Sequence, residues 1–148
     1  MATEHDPGVS AWFGVDFQGG VVGAFRECTG IGSENEVVRY KASTEDGKLV
    51  YKVVPGRMKW NNVTLKRGVT ANMDMWKWRG LVEDGNIAEA RKNGTITLFD
   101  QDGNALAQWT FENAWPSKVT GPTYNANTNE IAIEELEITH EGYKRVPV

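Results

Sequence analysis

Residues 12–27 read WFGVDFQGGVVGAFRE, and this stretch restricts the class of fold that the chain can adopt. Two apolar segments flank a Gly-Gly pair, which is typical of a β-hairpin with a two-residue connection. In the first segment Phe13, Val15 and Phe17 alternate with other residues, so they share one face of a strand. The stretch therefore predicts two antiparallel strands with one buried face.

The same alternation, interrupted by turn residues at short intervals, recurs along most of the chain. Residues 72–84 differ, because they contain no proline and carry apolar residues at the spacing of a helix face. Thr70 or Asn72 is expected to cap this helix, and Gly85 suits a left-handed stop. A further helical turn is predicted from residue 87. Strands are predicted over residues 35–41, 48–54, 57–66, 94–99, 105–112 and 130–140.

These elements predict a mainly β domain of the α+β class. Its expected architecture is a small β-barrel or sandwich of two antiparallel sheets with one flanking α-helix. The last strand carries one irregularity: Ile131 and Ile133 are spaced by two, as are Leu136 and Ile138, but the two pairs are out of phase. One extra residue would return both pairs to one face, so we predict a β-bulge at residues 134–135.

Length and composition indicate one domain over residues 1–148, with residues 1–10 as a flexible N-terminal extension. A formal net charge of −4 without a basic run lacks the electrostatic footprint of a nucleic-acid binder. No window has the roughly 18 uncharged apolar residues of a membrane helix, and no signal peptide is visible. Cys28 is the single cysteine, which excludes an intrachain disulfide and favours assembly in the cytoplasm.

Catalysis is poorly supported by the residue types present. The histidines are His5 and His140, and neither has neighbouring residues at metal-ligand spacing. Cys28 has no base partner nearby in sequence, so a small buried residue is the simpler interpretation. Five glutamates between residues 130 and 141 could supply paired acids, but a solvated strand face is the simpler prediction. We therefore expect no enzyme activity, no cofactor and no metal.

A long polar hairpin, residues 34–55, is predicted to project from the domain. Its strands are joined by the polar residues 42–47. A small strand-rich domain also presents unpaired strand edges, which readily pair with other chains. Closure of these edges by neighbouring copies is the functional interpretation, and protection of the edges by charged residues is the simpler one.

Several stretches resemble one family, the tail tube proteins of contractile-tailed phages. The resemblance extends equally to the inner tubes of R-type tailocins and of extracellular contractile injection systems. The stretches are FRECTGI (25–31), PGRMKWNNVTLKRG (55–68), RKNG (91–94), FENAWPSK (111–118), NEIAIE (129–134) and HEG (140–142). They occur in the family's order and span nearly the whole chain.

The resemblance implies hexameric rings of this chain, stacked coaxially into a hollow tube. It also implies a sheath outside, baseplate, spike and terminator proteins at the ends, and cargo or a tape-measure protein inside. Nucleic acid is implied only as transported cargo, in the case of a phage, and the subunit itself is not expected to insert into a membrane. The particle is a virion tail or an extracellular or cell-associated injection machine.

Two sets of residues are predicted to serve this assembly. The resemblance implies that the hairpin reaches the adjacent ring, and its charged residues are the candidates for that interface: Glu34, Glu36, Arg39, Lys41, Glu45, Asp46, Lys48, Lys52 and Arg57. The acidic last strand is predicted to line the bore, where its charge repels anionic cargo. The candidates there are Glu130, Glu134, Glu135 and Glu137.

Three other interpretations stay open from the sequence. A type VI secretion tube subunit has the same implied fold. A carbohydrate-binding β-sandwich would be a monomer that binds glycans through exposed tryptophans. A small hydrolase would need an acid pair in a pocket. The sequence also leaves open whether the source is a phage, a tailocin or an injection system, and what the cargo is.

Overall fold

The computed structural model describes residues 10–123 and 131–148, and strands dominate them. The hairpin predicted from residues 12–27 is present, with Phe17 and Val15 buried. The elements are β1 (Ser10–Asp16), β2 (Val22–Phe25), β3 (Glu27–Thr29), β4 (Ser33–Ser43), β5 (Leu49–Trp60), β6 (Val63–Gly68), α1 (Asp74–Glu83), α2 (Ile87–Ala90), β7 (Lys92–Asp100), β8 (Ala105–Thr120), β9 (Ile133–Thr139) and β10 (Gly142–Val146).

The body of the domain is two antiparallel sheets that share strand β8. Sheet one contains β2, β1, β7, the first half of β8 and β10, in that order. Sheet two contains the second half of β8, then β9, β6 and β3. The path begins at β2 and ends at β3, so the sheets form a sandwich and do not close into a barrel. The predicted mainly β fold with two antiparallel sheets is confirmed.

Strand β8 changes sheets at Asn113, whose φ of 47° lies in the left-handed region. The Asn113 N–H donates to Asn93 Oδ1 at 2.9 Å, and its side-chain amide donates to a carboxylate oxygen of Glu141. The Glu141 N–H in turn donates to the Glu112 carbonyl at 3.0 Å. These bonds satisfy the polar groups that the bend removes from the regular ladder.

The core fills the space between the sheets and beneath α1. Trp78 of α1 is fully buried, its ring centroid lies 5.5 Å from that of Phe17, and its indole N–H donates to the Ala90 carbonyl at 2.6 Å. Gly94 faces the same site, where a Cβ would stand 2.3 Å from the Phe17 ring. The buried apolar cluster is Val15, Phe17, Val21, Phe25, Val63, Leu65, Met75, Trp78, Ala90, Ile96, Phe111, Ala114, Leu136 and Ile138.

Helix α1 begins two residues later than predicted, with Met73 rather than Thr70 or Asn72 at the cap position. Asn72 still contributes, because its Oδ1 accepts the N–H of Asp74. At the other end Gly85 has a φ of 84°, and the N–H groups of residues 85 and 86 donate to the carbonyls of Val82 and Leu81. The predicted left-handed stop is confirmed as a Schellman motif.

The predicted β-bulge at residues 134–135 is wrong. Strand β9 pairs with β6 in unbroken register from Ile133 to Ile138. The buried face of β9 carries Glu134, Leu136 and Ile138, whereas Ile133 lies on the opposite face. The prediction failed because it assumed that apolar residues fill every buried position, and here a glutamate fills one.

Glu134 is buried because it joins a charged network. Its Oε1 accepts from Arg67 Nε at 3.0 Å, and its Oε2 accepts from the Trp76 indole N–H at 2.9 Å. Arg67 also donates to Asp74, whose other oxygen accepts the Val22 N–H. Burial raises the pKa of Asp74, but Arg67 and the N–H groups of Val22 and Met75 together outweigh burial and hold that pKa below its ordinary value. The network ties sheet two to helix α1 and to β2.

We expect Glu134→Leu to lower the free energy of unfolding by about 3 kcal/mol, because it leaves the buried Arg67 without the more deeply buried of its two carboxylate partners. The double variant Arg67→Met/Glu134→Leu is expected to recover part of that loss, since no unpaired guanidinium remains, but Asp74 loses its charged partner. Urea denaturation of the dissociated subunit measures both values. The matched control is Glu135→Leu, which changes the partly exposed neighbour and is expected to cost about 1 kcal/mol or less. A similarly small loss for Glu134→Leu alone would contradict the role of the network.

Candidate functional site: the assembly surfaces

The histidine and the cysteine in the described part of the chain do not form a catalytic group. His140 is buried among Phe111, Trp60 and Tyr143, and its Nε2 lies 3.0 Å from the Asn61 carbonyl. Burial lowers the pKa of His140 and raises the pKa of Cys28 to about 12, so the thiol has little nucleophilic character near neutral pH. His5 lies outside the described residues. No group of metal-ligating side chains occurs within residues 10–123 and 131–148.

The tryptophans do not form a sugar-binding platform in the described part of the chain. Trp76 is the most exposed at 36%, and its indole N–H is bonded to Glu134. Trp12 stacks on Phe99 with ring centroids 4.1 Å apart, and the other four are buried or half-buried. The carbohydrate-binding alternative therefore lacks its defining feature. No helix in the described residues has the length and apolar character needed to cross a membrane.

Within residues 10–123 and 131–148, the largest feature without a partner is the hairpin of β4 and β5, which pair only with each other. The strands contain 11 and 12 residues, or about 37 Å at ~3.4 Å per residue. Almost every side chain on them is exposed, including large apolar ones. An isolated two-stranded hairpin is only marginally stable in water, so this one requires a covering surface.

The register of the hairpin sorts its outer half into two faces. The Val38 face is defined as Val38, Tyr40, Ala42, Val50, Lys52 and Val54. The Val53 face is defined as Val37, Arg39, Lys41, Ser43, Leu49, Tyr51 and Val53. Each face combines large apolar residues with bases, and on the Val53 face the Lys41 ammonium lies 5.8 Å from the centre of the Tyr51 ring.

The nine charged residues predicted for the inter-ring interface all lie on this hairpin and are all exposed. Glu34, Glu36 and Arg57 lie at its base, where the register shifts between Asn35 and Val37. The bases Arg39, Lys41 and Lys52 occupy the outer strands, and Glu45, Asp46 and Lys48 lie at the tip.

Sequence reasoning missed the apolar residues of the hairpin. Their signal was present in the two adjacent pairs Val37-Val38 and Val53-Val54, because neighbouring residues of a strand point to opposite faces. Two apolar faces on one hairpin indicate two contact surfaces.

Sheet two has an exposed outer face and two open edges. Among the described residues, β3 pairs only with β6, and the second half of β8 pairs only with β9. Neighbouring strands of this sheet are antiparallel, so the two edge strands run in opposite directions.

The four glutamates predicted to line the bore fall into three groups. Glu135 and Glu137 share the outer face of sheet two. Glu134 is only 2% exposed and points to the opposite face, so the expectation that it shares the acidic outer face is corrected: its carboxylate is held inside by Arg67 and Trp76. Glu130 lies outside the described residues.

The outer face of sheet two is charge-compensated rather than uniformly acidic. Lys66 Nζ lies 3.1 Å from Glu135 and 3.9 Å from Glu27, and these carboxylates raise the pKa of Lys66. Lys118 stands opposite Glu137 in the ladder, and Glu137 accepts from the Asn62 side-chain amide at 3.3 Å. Sequence alone placed the acids on a strand but did not bring the two lysines beside them.

Comparison with solved structures finds this fold in chains of contractile injection assemblies and in Hcp1. A chain of the sheath–tube complex of the PVC extracellular contractile injection system, in its extended state, aligns with a TM-score of 0.78 and 23% identity, covering 98% of this chain and 95% of that one. A chain of the tube-terminating cap of the anti-feeding prophage aligns at 0.76 and 22%, covering 100% and 95%. Hcp1 from Flavobacterium johnsoniae aligns at 0.55 and 13%, covering 90% and 94%.

No curated protein sequence matches the chain significantly. The sequence model of one family does match, over residues 9–144. That match covers most of the chain, and the family consists of structural tube proteins rather than enzymes. A two-sheet sandwich with open edges and a projecting hairpin is the architecture that these residues form. The chain belongs to the family of the T4-like virus tail tube protein gp19.

Proposed function

We propose that this chain is the repeating subunit of the inner tube of a contractile injection particle. Six copies form a ring, and the rings stack into a hollow conduit that the sheath drives outward on contraction. The observation that carries the proposal is sheet two, a four-stranded sheet with an open edge on each side. The work of the subunit is mechanical, so it needs no cofactor.

The strand directions of sheet two suit closure into a ring. Because its edge strands are antiparallel, β3 of one copy can pair with the second half of β8 of the next copy and continue the antiparallel pattern. Such a head-to-tail contact generates a ring when the rotation closes. Six copies give about 24 strands, and at ~4.8 Å spacing and ~40° tilt the bore is about 38 Å wide after side chains are subtracted.

In this arrangement the outer face of sheet two lines the bore, with Glu135, Glu137 and their lysine neighbours. Glu130 remains a prediction for the same wall. Because lysines lie beside these carboxylates, the wall carries little net charge. A weakly charged wall limits the adhesion of passing cargo. A folded protein of about 100 residues is roughly 34 Å across and would just pass.

The hairpin of β4 and β5 is the proposed contact between rings. It projects as one unit, it pairs with no other strand among the described residues, and its exposed apolar residues favour burial. We further propose residues 1–148 as one tube domain that is assembled in the cytoplasm. Its N-terminal extension, predicted as residues 1–10, ends where Ser10 begins β1. Its proposed partners are a sheath protein, baseplate, spike and terminator proteins, and a luminal cargo or tape-measure protein.

The type VI secretion tube is the second candidate function, supported by the likeness to Hcp1. That likeness is weaker, with a TM-score of 0.55 against 0.78 for the injection-system chain. The two proposals share the ring and differ in the surrounding machine. Co-purification of the tube with a free contractile particle, rather than with a membrane-anchored one, separates them.

Deletion of residues 42–47 is expected to leave a folded subunit that no longer stacks into tubes. The deleted segment contains the exposed hairpin turn and lies outside the core of the body. Circular dichroism measures the fold, and negative-stain electron microscopy measures the length of the tubes. A matched control deletes one exposed residue, Asp102, from the β7–β8 turn on the body. Tubes of normal length from the 42–47 deletion would refute the proposed role of the hairpin.

Replacing Glu135 and Glu137 by lysine is expected to retard acidic cargo, because the wall then carries uncompensated positive charge. Tube assembly should persist, which electron microscopy checks independently. The measurement is the loading and release of an acidic and a basic test cargo. The control pair, Glu83→Lys and Asp84→Lys, makes the same charge change at exposed positions at the end of α1, away from sheet two and the hairpin. Equal handling of both cargoes by the wall variant and the control would place this face outside the bore.

A further inference from the structure

The hairpin of β4 and β5 exposes apolar side chains on both of its faces, not on one. On the Val38 face, Tyr40 and Val38 are each 45% exposed. On the Val53 face, Tyr51 is 68% and Val53 is 55% exposed. Both faces therefore carry large apolar side chains that a single chain leaves exposed, and the Val53 face is the more exposed of the two.

One covering surface cannot bury both faces. A two-stranded sheet is a thin ribbon, and successive side chains along each strand point to opposite sides of it. If a single neighbour covered the Val38 face, then Leu49, Tyr51 and Val53 would stay in water. Contiguous exposed apolar patches of this kind mark contact surfaces. The ribbon geometry thus requires two separate surfaces, one for each side.

The charges of the hairpin indicate what those surfaces are. Residues 33–60 contain six lysines or arginines and four acids, giving a formal charge of +2. The whole chain has a formal charge of −4, so the rest of the chain carries −6. In the two outer strands the charged residues are Arg39, Lys41 and Lys52, all bases and present on both faces. A basic, apolar ribbon is complementary to the acidic remainder of another copy of the same chain.

We infer that the outer half of the hairpin, residues 37–55, is held between two different copies of this chain, one on each face. This inference rests on the proposed tube. In this arrangement each hairpin lies between two neighbouring copies and contacts both. A contact between rings therefore also fixes the relative position of neighbours within a ring. Three chains then meet at every hairpin, and the contact strengthens only when both neighbours are in place.

The sequence supplies a matched set of substitutions for the test. Val37 and Val38 are adjacent and lie on opposite faces, and so do Val53 and Val54. Val38→Thr/Val54→Thr weakens the Val38 face, and Val37→Thr/Val53→Thr weakens the Val53 face. Threonine is β-branched like valine and is also enriched in strands, so the hairpin itself should persist. Val148→Thr, at an exposed position outside the hairpin, is the control.

The measurement is the critical concentration for tube assembly by sedimentation, using the purified chain without sheath. Each double variant is expected to raise it at least tenfold, the quadruple variant to abolish stacking, and the control to leave it unchanged. An unchanged critical concentration for either double variant would overturn the inference, because that face would then lie uncovered. Absence of rings and tubes from the wild-type chain would instead defeat the proposed function.

A second measurement reports burial directly. Tyr40→Cys and Tyr51→Cys place a thiol on the Val38 face and the Val53 face respectively. In dissociated subunits both thiols should react rapidly with a maleimide, and in bare tubes both should be slowed at least tenfold. The native Cys28, half-buried on β3, provides the background. A thiol that stays reactive in bare tubes and is protected only after sheath is added would overturn the inference and assign that face to the sheath.

Discussion

The fold depends on a single long strand that belongs to both sheets. Because β8 pairs with β7 and β10 along its first half and with β9 along its second, it fixes the angle between the sheets. The bend at Asn113 is possible only because its backbone and side chain find partners in Asn93 and Glu141. Three of the family-like stretches, at residues 91–94, 111–118 and 140–142, meet at this bend. Their shared physical role is to satisfy the groups that a strand loses when it changes sheets.

The bend also produces the surfaces that the tube requires. By turning β8 away from β7, it leaves the second half of β8 with one open edge, opposite the open edge of β3. The network of Arg67, Glu134 and Asp74 then fixes the inner side of sheet two against helix α1. A rigid sheet with two antiparallel edges is suited to repeated head-to-tail pairing. The hairpin extends away from this body with both faces unsatisfied, so closure within a ring and contact between rings arise from different parts of one small domain.

Glu134 is a charged residue that lies inside the domain and joins its layers from there. Its neighbours Glu135 and Glu137 sit on the outer face beside Lys66 and Lys118, whereas Glu134 points inward to Arg67. A buried carboxylate needs its partners in place, and those partners come from β6 and α1, distant in sequence. The acidic strand therefore has two roles: one glutamate ties the layers together, and the others contribute to a compensated outer wall.

The sequence by itself determined the class of the fold, the helix with its stop at Gly85, the projecting hairpin and, through its short stretches, the family. The class of the fold, the helix and the hairpin follow from the local periodicity and turn residues of each segment, and the family follows from the resemblance of the short stretches. Only the tertiary structure decided that Glu134 is inside and that Lys66 and Lys118 lie beside the outer acids. Each of these depends on which strands lie side by side and in what register. A shift of the pairing by one residue would move every side chain of the strand to the opposite face of the sheet. Register is set by contacts between distant segments, so no local pattern contains it.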